Sequence, residues 1–363
     1  MPMPNRFVLI CCLGIAAPAQ TTHLVGPGGY PQIGAAIAAA SPGDIILVQP
    51  GSYSLFATSK ALTIRATVPG AAIVPPGFGG IVLQPPAGQT VHLVGMHLCL
   101  TVVGSGRATF DGCRIDSPSS QLAVLNAAAH LQDCVVRSYP PSIPAFHTVP
   151  ALKGTNAELT VVNSTIEGGD SAPFVNPGVA VELVNSTFRG SQLALRGGNG
   201  TPVMPAIQAD AASSVWISDS TIDSDAPACP IAAANGRHDR CVLTPNCGSL
   251  PAGFVLGIDR PQPIQNGAPF LLHLRASPGS AIGVFVDHAL ATSLHATLEQ
   301  SLLLDPTTAF SGGVWIADQN GSAIAAWAVP AGPAFIDLAV WFQAFTGPAF
   351  PLQASAIVGG VVR

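Results

Sequence analysis

The chain has 363 residues, enough for two or more domains, and only 9% of them are charged, with a net charge of −5 at pH 7. Lysine occurs only at Lys60 and Lys153, so the chain lacks the clustered basic residues of a surface that binds nucleic acid or an anionic membrane. No apolar run reaches the length of about eighteen residues that marks a membrane span. Glycine and proline are abundant without the period of collagen, which favours short strands and tight turns.

The first nineteen residues carry the features of a signal peptide in the right order. Arg6 supplies the positive charge, Phe7–Ala17 the apolar stretch, and Ala17-Pro18-Ala19 a cleavage site. A buried first strand is the alternative, but it does not explain this order. Segment 1–19 therefore predicts a secreted or cell-surface protein that is cleaved near Ala19.

An amphipathic helix is predicted over Pro31–Ala40. Its apolar residues recur at the spacing of one helix face. They are Ile33, Ala36, Ile37 and Ala40. Ser41-Pro42-Gly43 ends the helix, because proline disfavours helix at the residue before it and glycine suits the exit. A short strand is predicted next, at Ile45–Val48.

A short pattern repeats along the middle of the chain. A polar residue is followed by Cys or Ser, then by any residue, then by Ile, Val or Phe. The Cys or Ser positions of this frame are Cys113, Cys134, Ser164, Ser186 and Ser220. Each unit is too small to bury its own apolar face, so the units are expected to stack as coils of a solenoid. Proline-rich insertions at 138–150, 168–178 and 196–205 are expected on one side, where they could shape a groove.

Residues 30–53 resemble the opening of secreted right-handed parallel β-helix proteins of the pectate-lyase-like superfamily. In those proteins an amphipathic helix plugs the open end of the solenoid, and the first strand starts the coil. The resemblance implies an all-β fold, with a right-handed parallel β-helix and its helix cap over residues 20–250. The cysteine-rich segment 224–251 is then a linker or a cap on the last coil.

From residue 251 to 363 the frame disappears and a β-sandwich is predicted. Its strands are predicted at Phe270–Ala276, Ala281–Val286, Gly313–Ala317, Ile324–Val329 and Ala334–Ala344. The pieces L-L-L-D-P (302–306), W-I-A-D-Q-N-G (315–321) and W-A-V-P-A-G (327–332) resemble a C-terminal domain attached to large exported bacterial proteins. That domain has no established activity, so the resemblance implies no chemistry.

Six cysteines follow the predicted cleavage site, an even number that is compatible with disulfides in an exported chain. Cys113 and Cys134 occupy equivalent frame positions and could form a disulfide or a buried thiol ladder. Cys229, Cys241 and Cys247 are further disulfide candidates. Together with His238 they could instead hold zinc, but their spacing matches no standard zinc site and export favours disulfides.

The superfamily resemblance implies carboxylates that hold calcium, with an Arg or Lys base, in a lyase, or two or three carboxylates in a hydrolase. The coils show no such cluster, so no catalytic residue is carried over, and calcium is expected only if the protein is a lyase. The strongest local candidates are Arg237, His238, Asp239 and Arg240, as a site for an acidic sugar or sulfate. The alternative for these four residues is a solvated turn at the domain junction.

Other residues are weaker candidates for a ligand site. Asp210, Asp223 and Asp225 could bind a ligand or calcium if their loops converge, or they are solvated turn residues. Trp216 could stack on a sugar ring. Asn163, Asn185 and Asp219 share the repeat frame and are expected to form a structural polar ladder at one turn between sheets.

Two functions from different classes fit these patterns. The first is a non-catalytic exported protein that binds a polysaccharide or a cell-surface component. The alternative is a polysaccharide lyase or hydrolase that acts on an acidic, pectin-like polysaccharide. Convergence of three or more of the charged candidates between Asp210 and Arg240 in one groove would favour the enzyme.

Overall fold

The computed structural model describes residues 20–75, 80–99, 101–118, 121–139, 149–171, 176–224, 229–246, 255–288, 290–293, 302–336, 338–347 and 352–363. The predicted signal peptide, Asp225 and Cys247 lie outside these residues, as do parts of the insertions at 138–150 and 168–178. The chain divides into two compact units, Ala19–Gly253 and a second unit that contains Phe254–Arg363.

The first unit is a stack of coils whose strands form three long parallel sheets. Sheet 1 has ten strands: Thr22–Val25, Ile45–Val48, Thr63–Ala66, Thr90–Val94, Arg107–Asp111, Ala128–Gln132, Glu158–Val162, Thr187–Ser191, Ser214–Ser218 and Asn235–Asp239. Sheet 2 has nine: Gly51–Ser52, Ala72–Ile73, His97–Leu98, Arg114–Pro118, Val135–Tyr139, Thr165–Glu167, Ala194–Arg196, Thr221–Asp223 and Val242–Thr244. Sheet 3 has eight: Ala57–Thr58, Ile81–Leu83, Thr101–Gly104, Leu122–Leu125, Leu152–Thr155, Val181–Val184, Ile207–Ala209 and Ile231–Ala232. The predicted all-β fold with a parallel β-helix is confirmed.

Apolar side chains stack in register inside the coils. Leu93, Phe110, Leu131 and Val161 occupy one register position on successive strands of sheet 1, and all four are fully buried. Because side chains alternate along a strand, the residues on either side of each point outward. Each buried side chain of this size stabilises the stack by about 1.5–3 kcal/mol. A single coil cannot provide this burial, so the repeats must fold as a stack.

The N-terminal helix spans Ile33–Ala39, and its predicted apolar face is confirmed. Ile33, Ala36 and Ile37 are buried in the core, and Ala40 follows them as a buried residue after the last turn. Lys60 donates hydrogen bonds through Nζ to the carbonyl oxygens of Ile37, Ala38 and Ala40, at 2.8, 3.1 and 2.7 Å. A cation at this position satisfies the free carbonyls of the last turn and complements the helix dipole.

At two of the three corners of the coils, most links are tight turns with one left-handed residue. The first corner, from sheet 1 to sheet 2, has positive φ at Asp133, Asn163 and Asp219. The third corner, from sheet 3 to sheet 1, has positive φ at a second row of residues. This row is Asn126, Asn156 and Asn185. Gly, Asn and Asp tolerate this conformation better than other residues, which explains their recurrence along the sequence.

This arrangement corrects the predicted repeat frame. Asn163-Ser164-Thr165 and Asn185-Ser186-Thr187 have the same sequence, but the first lies at the first corner and the second at the third corner. Asn185 donates to Asn156 at 2.8 Å, whereas Asn163 donates to Asp133 at 2.6 Å. The predicted single ladder is therefore two ladders on different corners, and Leu193 takes the frame position that Ser186 was expected to hold.

The second corner, from sheet 2 to sheet 3, carries all three predicted insertions. It also contains a second repeat, which the frame does not include. In this repeat, Glu167-Gly168-Gly169-Asp170 stacks on Arg196-Gly197-Gly198-Asn199. Gly168 N donates to Arg196 O at 2.8 Å, and Asn199 N donates to the Asp170 carboxylate at 2.9 Å. A Cβ atom at Gly198 would lie 1.9 Å from the carbonyl oxygen of Gly169, so only glycine fits there.

Of the two alternatives for Cys113 and Cys134, the structure has the thiol ladder. Both residues are buried free thiols and do not form a disulfide. Each donates to a carbonyl of the strand below, Leu93 O and Phe110 O, both at 3.4 Å. Burial raises the pKa of Cys113 to about 12 and that of Cys134 well above its usual value. Cys241 is also a free thiol, so the disulfide prediction is wrong for these three cysteines.

Cys229 is not one of the free thiols. Cys247 lies outside the described residues, so its place in a disulfide stays a prediction.

The second unit is built from antiparallel sheets. Sheet 4 contains Gly257–Asp259, Pro269–Arg275 and Ser322–Ala328. Sheet 5 contains, in spatial order, Phe310–Ile316, Ala281–Asp287, Ala339–Thr346 and Gln353–Val361. Sheet 6 contains Leu290–Ser293 and Leu302–Leu304, and a short 3₁₀ helix spans Pro333–Phe335.

Sheets 4 and 5 pack face to face through aromatic side chains, as predicted for a sandwich. Phe342 of sheet 5 meets Phe270 and Trp327 of sheet 4 at ring-centroid distances of 5.4 and 5.3 Å. The predicted strand Ala334–Ala344 begins later than expected, at Ala339, because Pro333 starts the 3₁₀ helix instead.

Candidate functional site

The outward face of sheet 1 is unusually polar and is the candidate site. Its central row runs through the middle of successive strands in register: Thr63, His92, Thr109, His130, Thr160, Arg189, Trp216 and Arg237. Thr109, His130, Thr160 and Arg189 are buried, although they point away from the coil interior. Polar side chains at such positions need partners, because burial without hydrogen bonds costs free energy.

A buried charge cluster lies in the middle of this face. Arg189, which is 2% exposed, donates through Nη1 to Glu158 Oε1 at 2.8 Å. Arg107 lies two coils below Glu158 at the same register position and is attracted by the same carboxylate. Burial lowers the pKa of Arg107 to about 10 and also lowers the pKa of Arg189, against the attraction of Glu158. The Glu158 carboxylate therefore attracts both guanidinium groups.

His92 lies near the lower end of the central row. Its Nδ1 lies 2.7 Å from Thr109 Oγ1. Burial, and then the charge of Arg107, lower the pKa of His92 to about 4, so the ring is neutral at pH 7. A neutral ring is compatible with the cationic Arg107 side chain nearby.

The face becomes accessible at its other end, on the last two coils. Trp216 is half-buried and Arg237 is exposed. The Arg237 guanidinium lies over the Trp216 ring, with Cζ 6.0 Å from the ring centroid. This is a cation–π contact, which holds the guanidinium beside an aromatic surface that faces out of the coil.

The sequence candidates Arg237, His238, Asp239 and Arg240 do not form a turn. Asn235–Asp239 is the last strand of sheet 1, and Arg240 is the left-handed residue of the first corner. Alternation along the strand places Arg237 and Asp239 on the outward face. His238 is in register with the buried Ile217, so it continues an inward row. Arg240 forms ion pairs with Asp239 and, at 2.6 Å, with Asp219.

The other candidate carboxylates are apart from this group. Asp210 lies at the third corner, where it accepts hydrogen bonds from Asn185 N at 3.1 Å and from Ser213 Oγ at 2.6 Å. The bond from Ser213 is the main reason why the pKa of Asp210 lies below its usual value. Asp223 lies on sheet 2, in register with Arg196. Asp225 lies outside the described residues.

A second feature, which the sequence patterns did not predict, is a charge ladder on the outward face of sheet 2. One register position on five successive strands alternates in sign: Asp116, Arg137, Glu167, Arg196 and Asp223. Arg137 Nε lies 2.8 Å from Glu167 Oε2. Asp116 also pairs with His97 and Arg114. Each of these five residues is the last charged residue of its strand. This pattern could have revealed the ladder in the sequence, but only after the strands had been aligned by register.

No protein-family model matches the chain, and a search of the curated proteins found no match. Among the described residues, no group of three or more His, Cys, Asp and Glu side chains is placed to hold a metal ion. None of the described helices is long and apolar enough to cross a membrane.

Proposed function

We propose that the protein is an exported, non-catalytic member of the pectate-lyase-like superfamily that binds a polysaccharide or another cell-surface component. The binding site is the accessible end of the sheet 1 face, at Trp216 and Arg237. The observation that carries this proposal is the half-buried indole under an exposed guanidinium. Export rests on the predicted signal peptide, and the superfamily on the helix-capped parallel coils.

The chemistry of this pair suits a sugar chain. An indole ring offers an apolar surface for the C–H face of a pyranose, and a guanidinium donates several hydrogen bonds to hydroxyl, carboxylate or sulfate groups. Asn235 is exposed on the same face, two residues before Arg237, and its Nδ2 donates to Ala211 O at 2.6 Å. The site is on strands, which hold side chains more rigidly than loops do.

The neighbouring charges support binding rather than catalysis. Asp239 and Asp219 both accept from Arg240, and Asp210 holds the third corner through its hydrogen bonds. Carboxylates engaged in this way maintain the local fold and are not arranged as an acid and base facing one bond.

Binding is tested by affinity electrophoresis and calorimetry on a panel of acidic and neutral polysaccharides. Trp216→Ala is expected to weaken binding about tenfold or more, whereas Trp216→Phe retains a stacking ring. Arg237→Ala should weaken binding of acidic chains most and should reduce its dependence on salt. Val242→Ala, an exposed residue of the last coil on sheet 2, is the matched control. Absence of binding to the whole panel overturns the proposal, and unchanged binding by Trp216→Ala overturns the site.

The alternative function is a lyase or hydrolase acting on an acidic polysaccharide. It is favoured by one observation, that Arg237 and Asp239 share the outward face of the same strand as a possible base and acid. Absorbance of unsaturated products detects a lyase, with and without calcium, and released reducing ends detect a hydrolase. Turnover that is lost in both Arg237→Ala and Asp239→Asn would replace the non-catalytic proposal with this one.

A further inference from the structure

The two edges of sheet 5 differ sharply. Gln353–Val361 forms one edge, and all nine of its residues are buried. Phe310–Ile316 forms the other edge, where Val314 is 67% exposed and Ile316 is 64% exposed. An edge strand presents unpaired backbone N–H and C=O groups, and folded proteins normally cover it or protect it.

The exposed residues continue an apolar face. Val314 is in register with Gly283, which is in register with Phe345 on its other side, so all three point to one face of sheet 5. Phe285 lies on the same face and packs edge-on against Phe345, with centroids 5.4 Å apart. The far half of this face is covered, because Trp341 packs in a cluster with Leu290 and Leu304 of sheet 6. In the described residues, the half beside the exposed edge has no such cover.

The Val314–Ile316 segment of the edge strand lacks the usual protection against pairing. The sequence of the strand, F-S-G-G-V-W-I, contains no charged residue and no proline. One irregularity interrupts its pairing with Ala281–Asp287, between Val284 and Phe285, and the segment from Val314 to Ile316 is regular. Trp315 points to the opposite side, where its ring lies 5.9 Å from that of Trp327, so the strand is held in place.

We infer that this edge pairs with the same edge of a second copy of the chain. An antiparallel pairing centred on Trp315 sets Val314 of one copy opposite Ile316 of the other, and the reverse. The two four-stranded sheets then form one continuous sheet about a two-fold axis, as in an isologous dimer. Since the strand is uncharged, its self-pairing brings no like charges together, and its β-branched side chains are favourable cross-strand neighbours.

The test uses the full chain in sedimentation velocity over about 1 to 100 μM, the range in which a modest interface dissociates. The wild type is expected to dimerise with concentration, and Val314→Lys and Ile316→Lys to raise the dissociation constant about tenfold or more. Ile324→Lys is the matched control, since Ile324 is 59% exposed and points to the outward face of sheet 4. Val314→Thr combined with Ile316→Thr keeps strand propensity, and so separates lost pairing from misfolding.

Hydrogen exchange locates the interface. Amides of Gly313–Ile316 should gain protection as the wild-type concentration rises, and should not do so in Val314→Lys. A wild type that is monomeric at every concentration overturns the inference. A dimer that tolerates both lysine variants, or that is lost in Ile324→Lys instead, also overturns it, because either result places the contact elsewhere.

Discussion

The outward faces of sheets 1 and 2 belong to the same coils but place their charged side chains in different environments. The coil that contains Glu158 on sheet 1 contains Glu167 on sheet 2, and the next coil contributes Arg189 and Arg196. On sheet 2 the charges alternate in sign, and Arg137, Glu167 and Arg196 remain partly exposed. On sheet 1 the Arg189–Glu158 pair is buried, with a second guanidinium near the same carboxylate.

In-register stacking determines which charged side chains become neighbours. Burial determines how much each pair contributes to stability. A half-exposed pair contributes little to stability, because water screens it. A buried pair is costly to break, because the remaining partner keeps its charge without compensation. The two sheets therefore offer the same Glu–Arg chemistry in two environments within one molecule.

The largest expected effect separates these environments directly. Glu158→Gln should lower the free energy of unfolding by about 3–5 kcal/mol, because it leaves Arg189 buried without a countercharge. Glu167→Gln, the matched change on sheet 2, should cost about 1 kcal/mol or less. Urea unfolding of both variants measures the difference. Equal losses would mean that burial does not distinguish the two faces.

The pH dependence of stability tests the sheet 1 face next. His92 has a pKa of about 4 in the folded protein, below its ordinary value of 6.5. Between these values the unfolded chain takes up a proton that the folded chain does not, so stability falls as the pH drops from 6.5 towards 4. The loss attributable to His92 should reach about 3 kcal/mol. Unfolding of wild type and His92→Gln across this range isolates the contribution, and parallel curves for the two proteins would contradict it.

The smallest expected effect tests the sheet 2 ladder. Arg196→Glu places three acidic side chains in succession and should cost about 1 kcal/mol at low ionic strength. Adding Asp223→Arg restores one opposite-charge neighbour and should recover part of the loss. Both effects should shrink in about 1 M salt, which reduces the Debye length to about 3 Å. A loss that salt does not change would indicate a packing defect instead of a charge effect.

The sequence predicted features that depend on local patterns. The helix face at Ile33, Ala36 and Ile37 follows from its 3.6-residue period, and the strand Ile45–Val48 from its apolar run between turns. The sandwich strands followed from alternation bounded by turn residues. These signals lie within one element, so no knowledge of partners was needed.

Features that depend on register between coils were missed or misassigned. Glu158 and Arg189 are far apart in sequence, and their pairing depends on the length of the insertion between them. The two Asn-Ser-Thr segments were equated because a left-handed asparagine followed by a small residue fits either corner. The strand Asn235–Asp239 looked like a charged turn, since Gly236 and four charged or polar residues hide its alternation.

The second corner has a consequence for how such a protein can change. The first and third corners are mostly two residues long, while the second ranges from the short link before Leu122 to the long links before Leu152, Val181 and Ile207. A segment gained or lost there leaves the alignment of every strand intact, because the next strand re-enters at the same position. The links at the second corner can therefore change in length and sequence, or be replaced by grafted peptides, without a change in the packing of the core.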